Sequence, residues 1–243
     1  MKLNSLYLVT LFFSVTLFAQ KKNKKPIEVK KAETSITIDG FGDDSAWYKA
    51  EWHPIDQVWE GKKVKEDDFS GRYKLLWDET SLYVLVEIND DKVIDITRDP
   101  LVDYYKDDSI MIGIDEDNSG GEHLSSYNAF TYHISLSGDV VDLNEAKQPR
   151  RYNHHIKSAR NQSGTKNIWE MQVFVFKSSY NDRKENRPVK LKPNKQIGFT
   201  IGYNDMDVGQ ERDNLIGSEY VPGKDKNVAY KDADVFGTVL LIN

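Results

Sequence analysis

The chain of 243 residues has no cysteine. No disulfide can staple it and no lipidated cysteine can anchor it, so its stability must come from a hydrophobic core. Long apolar runs are also missing. Ser5 to Phe18 is the longest, too short to span a membrane comfortably, with Lys2 before it and Ala19 after it. That pattern reads as a secretory signal peptide over residues 1–19, which makes the mature protein an exported one, periplasmic or secreted, with no membrane insertion. Positive charge is not in excess either. The chain carries a formal −6, and loss of Lys2 with the leader would leave about −7. Such a balance argues against nucleic acid or anionic lipid as a ligand. Heptads, internal repeats and long amphipathic helices are absent. So are a nucleophile elbow, a phosphate loop, a metalloprotease helix and zinc spacing among the five histidines.

What is present is period-two alternation. It predicts strands over Ser35–Ile38, Phe69–Trp77, Leu82–Ile88, Ser109–Ile114, Ala129–Leu136, Asp139–Leu143, His155–Arg160, Ile168–Phe176, Gln196–Asn204 and Gly237–Ile242. Asp78 to Ser81 and Ser137-Gly138-Asp139 read as hairpin turns. Asp44 reads as the N-cap of one short helix over Ser45–Ala50. The fold class that follows is all-β: a β-sandwich of two antiparallel sheets with one short N-terminal helix and long loops. Residues 20–34 are basic and poor in apolar residues and read as a flexible lead-in to one domain over residues 35–243. Trp47, Trp77 and Trp169 sit among apolar neighbours as core candidates. Trp52 and Trp59 lie in a less regular stretch, where one of them is expected at the surface.

The segment Tyr104 to Asp115 combines a charged, aromatic loop with a buried strand. Two tyrosines at a sheet edge are a natural platform for a flat, amphipathic ligand such as a sugar ring. Asp115-Glu116-Asp117-Asn118-Ser119-Gly120 alternates oxygen ligands before glycine, as a calcium loop does, and Asn89-Asp90-Asp91 is a second acidic candidate. Ser126 stands where an EF-hand needs its glutamate, so the run is not an EF-hand. A solvated acidic turn is the commoner outcome for such a run. Asp107-Asp108 reads as turn chemistry rather than a catalytic pair, since adjacent residues face apart.

The ordered set Ile38-Asp39-Gly40, Asp44, Trp47, Leu76-Trp77-Asp78, Asp108-Ser109, Ile114-Asp115, Gly198-Phe199, Asn204-Asp205 and Phe236-Gly237 resembles the family 9 carbohydrate-binding modules. The resemblance runs from about Ser35 to Asn243. It implies a sandwich with bound structural calcium; the acidic runs supply Asp90, Asp115 and Asp117 as its candidate ligands. It also implies a slot in which two aromatic rings hold a sugar, typically a reducing-end unit of cellulose or xylan. By family position those rings are Tyr105 and Tyr230, where tryptophan is usual. His133, Asn204, Asp205 and Arg212 are the candidate polar shell, while Met111 stands in place of an expected glutamate and Gly202 in place of a glutamine. The implied function is a non-catalytic, exported protein that binds an oligosaccharide or polysaccharide. Three alternatives stay open: a glycoside hydrolase, since family members sit on hydrolases; a haem-binding sandwich with Met111 or His133 as axial ligand; and a purely structural or partner-binding role.

Overall fold

The computed structural model describes residues 25–209 and 211–243. The expected signal peptide lies outside the described residues. No helix among them is long and apolar enough to cross a membrane. The strands are β1 (Ile27–Lys31), β2 (His53–Ile55), β3 (Gln57–Glu60), β4 (Phe69–Trp77), β5 (Leu82–Asp90), β6 (Ser109–Asp115) and β7 (Phe130–Ser135). They continue with β8 (Val140–Leu143), β9 (Pro149–Arg151), β10 (Ile156–Ser163), β11 (Lys166–Val173), β12 (Gln196–Asp205), β13 (Asn214–Gly217) and β14 (Gly237–Ile242).

Two layers arise from this chain. One runs β10-β11-β5-β4, with β2 on β4; the other runs β14-β12-β6-β7-β8-β9. Within each, neighbouring strands are antiparallel. The expected separation into two antiparallel sheets needs one correction. β1 pairs in parallel with both β14 and β4, so a single hydrogen-bonded path joins the layers. β1 falls inside residues 20–34, the expected flexible lead-in. Its Val29 is buried, which is what holds the segment in place. Ser35–Ile38, by contrast, is not a strand. It crosses the outer face of the first layer, where Ile36 and Ile38 pack on Trp47, Leu76 and Leu85.

The core lies between the layers. Val84, Val86, Ile88, Trp169 and Met171 come from the first, and Ile110, Ile112, Tyr132, Ile201 and Tyr203 from the second. Both outer faces are also partly covered, so β6 is buried along its whole length instead of alternating. On the first layer the cover is the 3-10 turn Ser45–Lys49, whose Trp47 Nε1 donates to Glu170 Oε1 (2.9 Å). The Gly40 amide donates to the other carboxylate oxygen (2.9 Å). Gly40 has φ 84° and lies so close to the Arg160 backbone that a Cβ would sit 2.8 Å from it. Asp44 does not cap the turn through its side chain, which accepts from the Thr37 amide instead (2.7 Å). A second 3-10 turn, Ala233–Val235, joins the expected one.

On the second layer the outer face is covered by residues 218–236 and by Trp59, packed with Met111, Ala129, Leu215 and Phe236. Trp59 is buried, whereas Trp52 is half-exposed, with the Arg72 guanidinium 4.2 Å and the Lys74 ammonium 4.7 Å from its ring centre. The Asp78 turn forms as read: Asp78 Oδ1 accepts from the amides of Thr80 (2.7 Å) and Ser81 (2.9 Å).

Candidate functional site

The loop before β6 is fixed by the two aspartates that end it. Asp107 Oδ2 accepts from the Thr97 amide (2.7 Å) and Asp108 Oδ2 from the Ile94 amide (2.5 Å). Asp108 Oδ1 also accepts from the Met206 amide (2.8 Å), tying this loop to the end of β12. Tyr104 and Tyr105 are thereby held at the rim. Tyr105 is 38% exposed and meets Tyr104 edge-on, with ring centres 5.4 Å apart.

Tyr230, also 38% exposed, rides on a loop secured from the other side. The Ala229 carbonyl accepts from Thr131 Oγ1 (3.0 Å) and from His123 Nε2 (3.1 Å). The His123 amide donates to the Lys231 carbonyl (2.8 Å). A carbonyl can only accept, so His123 carries its proton on Nε2.

Polar side chains connect the two rims. The Arg212 guanidinium lies 5.6 Å from the Tyr105 ring centre. Its Nη1 donates to Asn204 Oδ1 (2.6 Å), and its Nη2 contacts the Glu60 carboxylate. Glu60 Oε2 accepts from Asn227 Nδ2 (2.8 Å), three residues before Tyr230. Beneath them, Asn204 Nδ2 donates to Ser109 Oγ (2.8 Å) and to His133 Nδ1 (3.0 Å). With Nδ1 accepting, the His133 proton sits on Nε2. Burial, and then the nearby Arg212 charge, push the His133 pKa down to about 3, so the ring is neutral at ordinary pH. Tyr104 packs edge-on against His133 at 5.0 Å. Burial, together with Asp142, Tyr105 and Tyr230, drives the Tyr104 phenol well above its usual pKa and keeps it protonated. The array is two half-exposed rings beside fixed donors and one acceptor, the chemistry that suits apolar C–H faces edged with hydroxyls.

A second constellation lies at the same end of β6 on the core side. Asp90, Asp108 and Asp205 are all buried, and one oxygen from each lies within 4.8 Å of the others. Tyr203 Oη donates to Asp90 Oδ2 (2.7 Å). Burial, and then repulsion among neighbouring carboxylates, raise Asp90 to about 6 and Asp108 and Asp205 to about 8. Beside them Asp68, Asp91 and Asp207 form a second, more open trio. A Ca²⁺-like cation fits this donor set: it is all carboxyl oxygen, and among the described residues the only base paired with it is Lys92, 3.8 Å from Asp207.

A sequence profile described as carbohydrate family 9 binding domain-like matches residues 38–243. The chain belongs to that family. Among solved structures it is similar to a family 9 carbohydrate-binding module from Caldicellulosiruptor kristjanssonii in complex with cellotriose. The TM-score is 0.65 at 19% identity, over 90% of this chain and 94% of that one. A family 9 module from the same organism in complex with glucose aligns with TM-score 0.62 at 19% identity, over 88% and 95%. No curated protein matches the chain. At such identity the structural likeness speaks for the fold.

Of the residues expected in the sugar site of this family 9 chain, Tyr105, His133, Asn204 and Arg212 lie in one contact network, linked through Glu60 and Asn227 toward Tyr230. Asp205 does not join them. Adjacent strand residues face opposite ways, so it turns from Asn204 into the buried trio with Asp90. The expected calcium ligands separate likewise. Asp115 and Asp117 lie at the far end of β6, about 20 Å along the strand from the trio. There Asp115 Oδ2 accepts from the Gly120 amide (2.7 Å), and its buried Oδ1 has no hydrogen-bond partner. Sequence reasoning missed Glu60 and Asn227, which only the fold brings together. It also read Asp108 as turn chemistry alone, although the acidic pairs Asp90-Asp91 and Asp107-Asp108 signal both roles. Met111 and His133 are cross-strand partners as the haem alternative required, but the Met111 side chain is packed among Trp59, Ala129, Leu215 and Phe236.

Proposed function

We propose that this chain is an exported, non-catalytic module that holds one sugar of an oligosaccharide or polysaccharide end, of the xylan or cellulose type, between Tyr105 and Tyr230. The observation that carries this reading is the unbroken path of contacts from Tyr105 through Arg212 and Glu60 to Asn227, beside Tyr230. The rings would stack on the pyranose C–H faces, contributing on the order of 1 kcal/mol each beyond buried area. Arg212, Asn227 and the protonated Nε2 of His133 would donate to hydroxyls, and Glu60 would accept. Glu60 is engaged by both Arg212 and Asn227, which suits orientation rather than general acid or base chemistry.

Calcium belongs to the same reading as a structural ion. Asp90, Asp108 and Asp205 would hold it, with Asp68, Asp91 and Asp207 as a second candidate set. Its charge would let buried carboxylates ionise together beneath the Tyr104–Tyr105 loop. Calorimetric titration of the intact chain with xylo- and cello-oligosaccharides, and with the same sugars reduced to alditols, tests the assignment. Saturable binding that weakens on reduction supports end recognition; no heat from any saccharide would overturn it.

A further inference from the structure

An open groove of about 800 Å³ is lined in part by Tyr230, Glu60, Lys63, Lys224, Asp225 and Lys226. Its charges are unevenly balanced. Both carboxylates are already met by cations from beside the groove: Glu60 by Arg212, and Asp225 by Lys231 at 3.8 Å. Asp213, another acid nearby in sequence, turns its carboxylate to the Asp207 amide (2.7 Å). Lys63, Lys224 and Lys226 stand in no ion pair with any described residue. The groove's own lining thus carries three lysines in no ion pair and two carboxylates that are already paired, in a chain whose net charge is −6. Beneath the rings Met111 is apolar and His133 is paired with Asn204, while the Asp142 carboxyl that acts on Tyr104 is pushed up to about 8 by burial.

Resting on the sugar-binding reading above, we propose that the glycan is anionic, with its charged groups on the residues next to the clamped sugar and over the lysines of the groove. Uronate carboxylates or sulfate esters would supply the charge. The groove is continuous with Tyr230, so a chain whose end lies against that ring has the lysine-lined floor as its path. Each exposed lysine contributes little alone, and the attraction is screened by salt. Three together predict a preference of about tenfold for the charged ligand at low ionic strength.

The test is calorimetric titration of the intact chain with a glucuronate-bearing xylo-oligosaccharide, its carboxyl-reduced counterpart and a sulfated xylo-oligosaccharide, at low and high salt. The same series is run on Lys63→Gln/Lys224→Gln/Lys226→Gln, three substitutions at half-exposed or exposed positions. The expected result is tighter binding of the charged ligand, a preference that shrinks with salt, and a ratio near one in the triple variant. Preference for the sulfated ligand over the uronate would assign the charge to sulfate. Equal affinity for the uronate and its reduced form, with no gain from sulfate, overturns the charge preference and leaves the clamp standing. So does a preference that survives in the triple variant. No binding in any arm overturns the clamp and this proposal together.

Discussion

At the scale of single residues, the second layer depends on what two glycines leave open. Gly202 and Gly217 face each other across β12 and β13, and the Trp59 ring lies where a side chain at Gly217 would go. A Cβ on Gly217 would stand 2.0 Å from Trp59 Cζ2. The ring cannot tilt away freely, because its Nε1 donates to the Glu219 carbonyl (2.7 Å). Gly217→Ala is therefore expected to destabilise the protein by about 1–3 kcal/mol through overpacking. Thermal denaturation checks this, and an unchanged midpoint would show that the ring is not confined. Arg212 is the matching residue on the ligand side. Arg212→Ala removes the donor to Asn204 Oδ1 and the partner of Glu60, at about 1–3 kcal/mol for the groups left unsatisfied. Saccharide affinity should fall with it in calorimetry; full affinity would place the ligand elsewhere.

Among the elements, β1 has a role out of proportion to its length. It pairs with β14 over four positions and with β4 over two, and it is the bridge between layers. A chain that starts after Lys31 should lose at least about 2 kcal/mol in urea denaturation, since Val29 leaves the core and two strand edges open. Equal midpoints would mean the layers hold without it. This strand was not legible in the sequence, because two lysines and one glutamate surround its single fully buried side chain. The strands buried on the core side were. Phe69–Trp77 and Gly237–Ile242 match their predicted bounds, and Gln196–Asn204 falls one residue short of the observed β12. In β14 the alternation reports one-sided burial directly, whereas β12 is buried on both faces from Ile197 to Asp205. Ser35–Ile38 shows the converse: the same alternation arises when two isoleucines pack onto the back of a sheet without pairing. In the site, Tyr105, His133 and Asn204 could be named because each sits on or at a short offset from a strand motif, whereas Arg212 was named only by its nearness in sequence to a family position in a loop. Glu60 and Asn227 are separated by 167 positions and meet only through tertiary packing. Asp205 was grouped with Asn204 in the polar shell, although strand periodicity alone places it on the opposite face, with Asp90 and Asp108.

For the whole molecule, the buried acids tie stability to pH and to a cation. Asp108 and Asp205 have folded pKa values of about 8, against an unfolded value of about 3.9. In the metal-free protein they keep protons that the unfolded chain has lost. Their contribution is complete below about pH 4 and is lost as pH rises through 8. Above about pH 7 the histidines of the unfolded chain are mostly neutral, which leaves this effect uncovered. Metal-free protein should therefore become less stable between pH 7 and 8, and the rise in melting temperature on adding calcium should widen over the same interval. A calcium effect that is absent, or that is constant with pH, would separate the trio from cation binding. The central claim is that Tyr105 and Tyr230 close on one sugar. It is tested most directly by calorimetric titration of Tyr105→Ala, Tyr230→Ala and the double variant with the oligosaccharide that the intact protein binds best. Both rings are partly exposed, so the variants should melt as the parent does. Each single substitution is expected to cost about 1–3 kcal/mol of binding, with little further loss in the double variant, because a slot needs two walls. Unchanged affinity in both single variants would contradict the account and move the ligand to another surface.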